Sequence, residues 1–187
     1  MPIPFRDAED IEEMGTVGYL TVAPHQNGNG FDGALFLMNM RGEPIEFTYN
    51  RIEMPNSFLW RKEDILRSAQ RRLAASLLSI CPVIPKIIIC LAEEIGCELF
   101  CQDIKLSMPV CRIAPSTAII SFAGAEIQET TATTESLNLF WYPDKPIDST
   151  PERQLINELA RRGLLMEPFD RAKNGLGEVC GRSQGSS

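Results

Sequence analysis

Gly28-Asn29-Gly30-Phe31-Asp32-Gly33 runs straight into Ala34-Leu35-Phe36-Leu37-Met38, a polar turn over 39–43, and then Ile45-Glu46-Phe47-Thr48-Tyr49. The glycines have the spacing of a dinucleotide-binding loop, but that loop works only when a helix comes next, so that the helix amino terminus faces a pyrophosphate. The residues after Gly33 are instead apolar and β-prone, and the segment reads as a β-hairpin over 34–49. Four consecutive apolar residues, Leu35 to Met38, suit a central strand covered on both faces. The second strand alternates Ile45, Phe47 and Tyr49 with Glu46, Thr48 and Asn50, which suits one wet face. A kinase-type glycine loop does lie between strands, yet the lysine and the catalytic aspartate loop it requires are missing, so no nucleotide cofactor is expected.

Outward from the hairpin, residues 58–80 carry the clearest helical pattern. Ile65, Leu66, Ala69, Leu73, Leu77 and Ile80 fall on one stripe, and Pro82 forces a stop. Upstream, 7–14 reads as a short acidic helix, 17–22 as a strand and 24–30 as an exposed loop. Downstream, 87–92 reads as an interior strand, 103–113 as a further strand or pair, 118–122 and 137–142 as strands, and 129–136 as a polar loop. Thr150 as a cap and Pro151 at the first helical position open a second helix over 151–162, closed by Gly163. The fold class is therefore α+β: one domain over 16–176, with a mixed or antiparallel sheet and the 58–80 helix across one face. A short acidic segment over 1–15 precedes it, and a flexible tail over 177–187 ends the chain.

The formal charge of -7 repels phosphate backbones at long range and disfavours nucleic acid as sole partner. No export signal precedes the acidic residues near the start. The most apolar region, 73–95, is broken by Pro82, Pro85 and Lys86, so no membrane span is expected and a cytoplasmic location is. None of the six cysteines has the two-residue spacing of a zinc knuckle. They read as small buried apolar groups, with Cys97, Cys101 and Cys111 the only grouping worth weighing as a metal site; neither metal nor cofactor is expected. His25 sits in a polar loop with no acidic neighbour in sequence and is expected in solvent.

Two functional readings remain. Asp103-Ile104-Lys105 places an acid and a base on one strand face, and Glu93, Glu94 or Glu98 can supply an upstream carboxylate. This arrangement resembles the active site of restriction-endonuclease-like nucleases, which implies metal-dependent cleavage with Glu94, Asp103 and Lys105 as the catalytic set. The other reading starts from Phe58, Trp60, Arg61, Arg67, Arg71, Trp141 and Tyr142, aromatic and arginine residues of the kind enriched at interface anchors. The order hairpin, helix, strand resembles small scaffold domains of the roadblock and longin type. With no convergent catalytic set legible, the preferred expectation is a non-catalytic accessory subunit that recognises another protein in a bacterial-type cytosolic assembly.

Overall fold

Alternation along the strands decides the layering. The structure, a computed structural model, describes residues 2–4, 15–26, 28, 30–54, 58–131 and 136–181. In chain order the strands are β1 (Pro2–Pro4), β2 (Val17–Pro24), β3 (Gly30–Met38), β4 (Pro44–Glu53), β5 (Ile87–Leu91), β6 (Val110–Pro115), β7 (Ile127–Thr130) and β8 (Leu137–Tyr142). The helices are α1 (Lys62–Ile80), α2 (Pro151–Arg161) and α3 (Glu167–Gly181). One mixed sheet takes the order β1-β4-β3-β2-β5-β6-β8-β7. Strands β2, β3 and β4 form an antiparallel meander, β5 lies parallel to β2, and β6 lies parallel to β5. The carboxyl ends of β2, β5 and β6 therefore share one edge of the sheet.

Val17 and Tyr19 of β2, Phe36 of β3, Phe47 of β4 and Ile89 of β5 pack with Leu155, Leu159 and Phe169 of α2 and α3 on one face. The intervening residues Leu20, Leu35, Leu37 and Ile88 pack with Leu73 and Leu77 of α1 on the other. Both faces are dry, which is why β3 and β5 read as continuous apolar runs. The central hairpin appears where expected, with Ala34 opposite Tyr49, and β3 extends back to Gly30. Asn39 closes its turn: the Asn39 carboxamide oxygen accepts from the backbone N–H of Arg41 and of Glu43. Gly33 lets α1 pack close to β3, since an added Cβ would lie 3.3 Å from Leu73 and Leu77 and those side chains would have to shift by a few tenths of an ångström.

Helix α1 starts at Lys62, and Phe58 to Trp60 form a turn before it, because Glu63 and Asp64 in the first turn complement the helix dipole. Thr150 caps α2 as expected, accepting from Arg153 N–H. Four expectations need correction. The 103–113 strand is only Val110–Pro115, preceded by a π-helical turn at Leu99–Asp103, and 118–122 is irregular. Glu129 and Thr130, expected at the start of a polar loop over 129–136, belong to β7 (Ile127–Thr130) at the sheet margin. The 177–187 tail is helical as far as Gly181, because α3 buries Phe169, Ala172 and Leu176 despite its glycines. Gly175 sits where a side chain would strike the Phe47 ring, with an added Cβ only 2.8 Å from it. The acidic helix expected over 7–14 lies outside the described residues. Among those described, no helix is long and apolar enough to cross a membrane.

Candidate active site at the carboxyl edge of the central strands

On the face beneath α3, each meander strand changes character at the same end of the sheet. Val17 and Tyr19 of β2 give way to Thr21; Phe36 and Ala34 of β3 give way to Asp32; Phe47 and Tyr49 of β4 give way to Arg51. The register places Ala23 opposite Asp32, and Asp32 opposite Arg51. His25 comes directly after the end of β2. An apolar core thus terminates in a row of polar groups at the edge where β2 and β5 end.

Asp32 is the hub of one half of this row. One carboxylate oxygen accepts from His25 Nδ1 at 2.7 Å and the other from Arg51 Nε at 2.8 Å. Burial pushes the Asp32 carboxyl up, but the bonds from His25 and Arg51 outweigh it and hold the group below the usual carboxylate range. Arg51 also donates to the carbonyl of Cys180 at 3.2 Å, tying the last turn of α3 to β4. Because an ionised carboxylate only accepts, Nδ1 of His25 carries the hydrogen, and in the neutral ring Nε2 is then the acceptor. The His25 side chain is only 13% exposed, a correction to the solvent-facing loop residue expected. Its acidic partner comes from the next strand, seven residues on.

Glu94 organises the other half, on the loop after β5. The hydroxyl of Thr21, a residue with no exposed surface, donates to Glu94 Oε2 at 2.7 Å, and Lys173 Nζ of α3 lies 2.6 Å from Oε1. The Glu94 backbone is fixed as well, since Gln70 of α1 donates its amide to the Glu94 carbonyl. Arg112 of β6 donates to the carbonyls of Ile95 and Ser121 at 3.0 Å and is paired with Glu126 at 2.7 Å, both side chains almost wholly buried. Between the two halves, a cavity of about 130 Å³ is lined by Ala23, Pro24, His25, Asp32, Lys173 and Leu176, among others.

The residues singled out from sequence divide. Glu94 belongs to this edge, whereas Asp103 is held by Arg67 of α1 at 2.8 and 2.9 Å, and Lys105 is exposed. The Arg67 guanidinium keeps the Asp103 carboxyl below its ordinary value. The two acids are thus engaged by different cations. Phe58 is 97% exposed, Trp60 half-exposed, and Arg61 pairs with Asp64. Trp60, Arg67 and Arg71 line a shallow surface cavity of about 250 Å³. Trp141 cannot belong to an interface: β8 lies between β6 and β7, and its Trp141 points into the core with 0% exposure. Tyr142 is partly buried. Cys111 is buried in the core, with its thiol pushed well up by burial. Among the described residues no three His, Cys, Asp or Glu side chains are placed to hold a metal ion.

A mixed sheet in which β2, β3 and β4 form a meander, β5 and β6 run parallel to β2, and polar groups gather at the carboxyl edge defines an α+β fold with an edge site. No family model matches the chain, and no curated protein matches it. Solved structures do. The chain is similar to endonuclease V from Streptomyces avermitilis, with a TM-score of 0.60 at 14% identity over 89% of this chain and 83% of that one. It is also similar to endonuclease V from Bacillus subtilis, with a TM-score of 0.53 at 13% identity over 97% of this chain and 86% of that one. At these identities the likeness is one of fold. It nevertheless corrects the expectation of a non-catalytic accessory subunit, because both of these structures, alike in fold over more than four-fifths of each chain, are endonucleases. The protein partner expected for Phe58, Trp60 and the arginines loses its basis for the same reason.

Proposed function

We propose that this chain acts on nucleic acid as a nuclease, with a phosphodiester meeting the sheet edge at Lys173, His25 and Glu94. The observation that carries the reading is the likeness in fold to the two endonuclease V structures, extending over more than four-fifths of each chain compared. The polar row at the carboxyl ends of β2 and β5 supplies a place for the chemistry.

The donors at this edge do not fit a divalent metal. Glu94 is already bonded to a hydroxyl and an ammonium, and Asp32 to an imidazole and a guanidinium. The chemistry falls to side chains. Hydrolysis of a phosphodiester brings water to phosphorus and breaks one bond to a sugar oxygen. The attacking water gives up a proton, the phosphate oxygens need a cation, and the departing oxygen takes a proton back. His25 Nε2, oriented by Asp32 at Nδ1, takes the proton from water; the protonated ring returns it to the departing oxygen. Lys173 supplies the positive charge, and Glu94 and Thr21 fix where that charge sits.

End-labelled single-stranded and duplex DNA and RNA, incubated with the purified chain, provide the test. Cleavage is expected, with His25→Gln lowering its rate about 100-fold or more while binding is unchanged, the effect of losing a positioned general base. Strands that are neither bound nor cut under any ionic condition overturn the reading.

A further inference from the structure

We infer that this edge carries its own cation: the Lys173 ammonium stands where a nuclease site would otherwise hold a divalent metal ion. The inference rests on the proposed nuclease function for its setting, but the geometry that supports it is independent of substrate. Two carboxylates face the edge from the α3 side, Glu94 and Asp32. Each is matched by a cation of the protein itself, Lys173 at 2.6 Å and Arg51 at 2.8 Å. The remaining oxygen of each is taken as well, by the Thr21 hydroxyl and by His25.

A divalent ion gathers several oxygen donors, with carboxylates the usual source of charge. On Glu94 it would have to displace the ammonium or sit within a few ångströms of it, like charge against like. Thr21 offers its hydrogen to Glu94, so its hydroxyl is committed on that side. Phosphate has the opposite requirement. Lys173 is 43% exposed, lines the cavity beside His25, and brings two further donor hydrogens besides the one directed at Glu94. An anionic oxygen can share that ammonium without disturbing the pair.

Two titrations of the full chain test the assignment. In the first, Mn²⁺ is added and its free paramagnetic signal followed. Wild type and Glu94→Gln are expected to behave alike, with no stoichiometric uptake that depends on Glu94. Lys173→Asp, a change on the exposed side of α3, is expected to gain one Mn²⁺ site, and that site is expected to vanish when Glu94→Gln is added. In the second, a fluorescein-labelled oligonucleotide is titrated in EDTA and in Mg²⁺, with equal affinity expected in both and a fall of tenfold or more in Lys173→Gln. Wild-type uptake of one Mn²⁺ that Glu94→Gln removes, or oligonucleotide binding that appears only with Mg²⁺, overturns the inference. No oligonucleotide binding in either buffer, with the Mn²⁺ results as expected, overturns the nucleic-acid reading and leaves Lys173 as the built-in cation.

Discussion

Asp32 has no oxygen to spare, and that gives it a measurable signature. Its carboxyl sits below its ordinary value of 3.8, so its contribution to stability is complete above that value and is lost as pH falls through the lower folded value. Asp32→Asn is expected to cost about 1–3 kcal/mol at neutral pH, the scale of hydrogen bonds to charged groups. The gap between variant and wild type should close in acid well below 3.8, as urea unfolding at both extremes would reveal. A gap of the same size in acid would mean that His25 and Arg51 do not hold the charged form. Lys173 is the contrasting case. Being substantially exposed, its pair with Glu94 contributes less than about 1 kcal/mol to folding. A Lys173→Gln chain should therefore melt like wild type, and any change in nucleic-acid affinity belongs to the site itself.

Between residue and fold, β6 and the segment after β5 depend on a single buried pair. Arg112 and Glu126 are 3% and 2% exposed at their side chains, and Arg112 also ties down carbonyls on either side of Glu94. Arg112→Met strands the Glu126 carboxylate and is expected to cost about 3–5 kcal/mol in denaturant unfolding. Adding Glu126→Leu should return much of that, since an apolar pair of similar volume leaves no charge unmatched. If the double variant is no better than the single one, the loss comes from the freed carbonyls instead. At the crossing of α1 over β3, Gly33→Val should cost about 1–3 kcal/mol through overpacking against Leu73 and Leu77.

These elements also mark how far the sequence can be read. The hairpin, α1 and α2 are legible because their signals are local: alternation, a stripe, a cap ahead of a proline. Helix α3 is not, since Gly175, Gly177 and Gly181 lower its propensity and contacts distant in sequence, among them burial against Tyr19 and Phe47, hold it. Glu94 is legible as a carboxylate at a strand end. Its partners Thr21 and Lys173 lie 73 and 79 residues away in sequence, and only the parallel pairing of β2 with β5 and the docking of α3 bring them together. The His25–Asp32 pair has a nearer signal, because a hairpin register that sets the end of β2 against the start of β3 puts the two side by side. Asp103-Ile104-Lys105 misleads for the opposite reason: the backbone there leaves a π-helical turn, and the strand alternation that would align acid and base is absent.

For the whole molecule, a net charge of -7 and a nucleic-acid partner are compatible because the charge is not uniform. Arg51 pairs with Asp32 and Lys173 with Glu94 at the edge, and Lys173 remains 43% exposed beside the cavity. A strand must approach against a repulsive long-range field and is held by few phosphate contacts, so binding should be modest and weaken with salt along a shallow slope. The most direct measurement is the fluorescence anisotropy of labelled single-stranded and duplex DNA and RNA, titrated with wild type and Lys173→Gln over a series of salt concentrations. Saturable binding at low salt, with a slope shallower by about one in Lys173→Gln, is the predicted result. The absence of binding to all four nucleic acids at the lowest salt, or identical curves for the two chains, would contradict it.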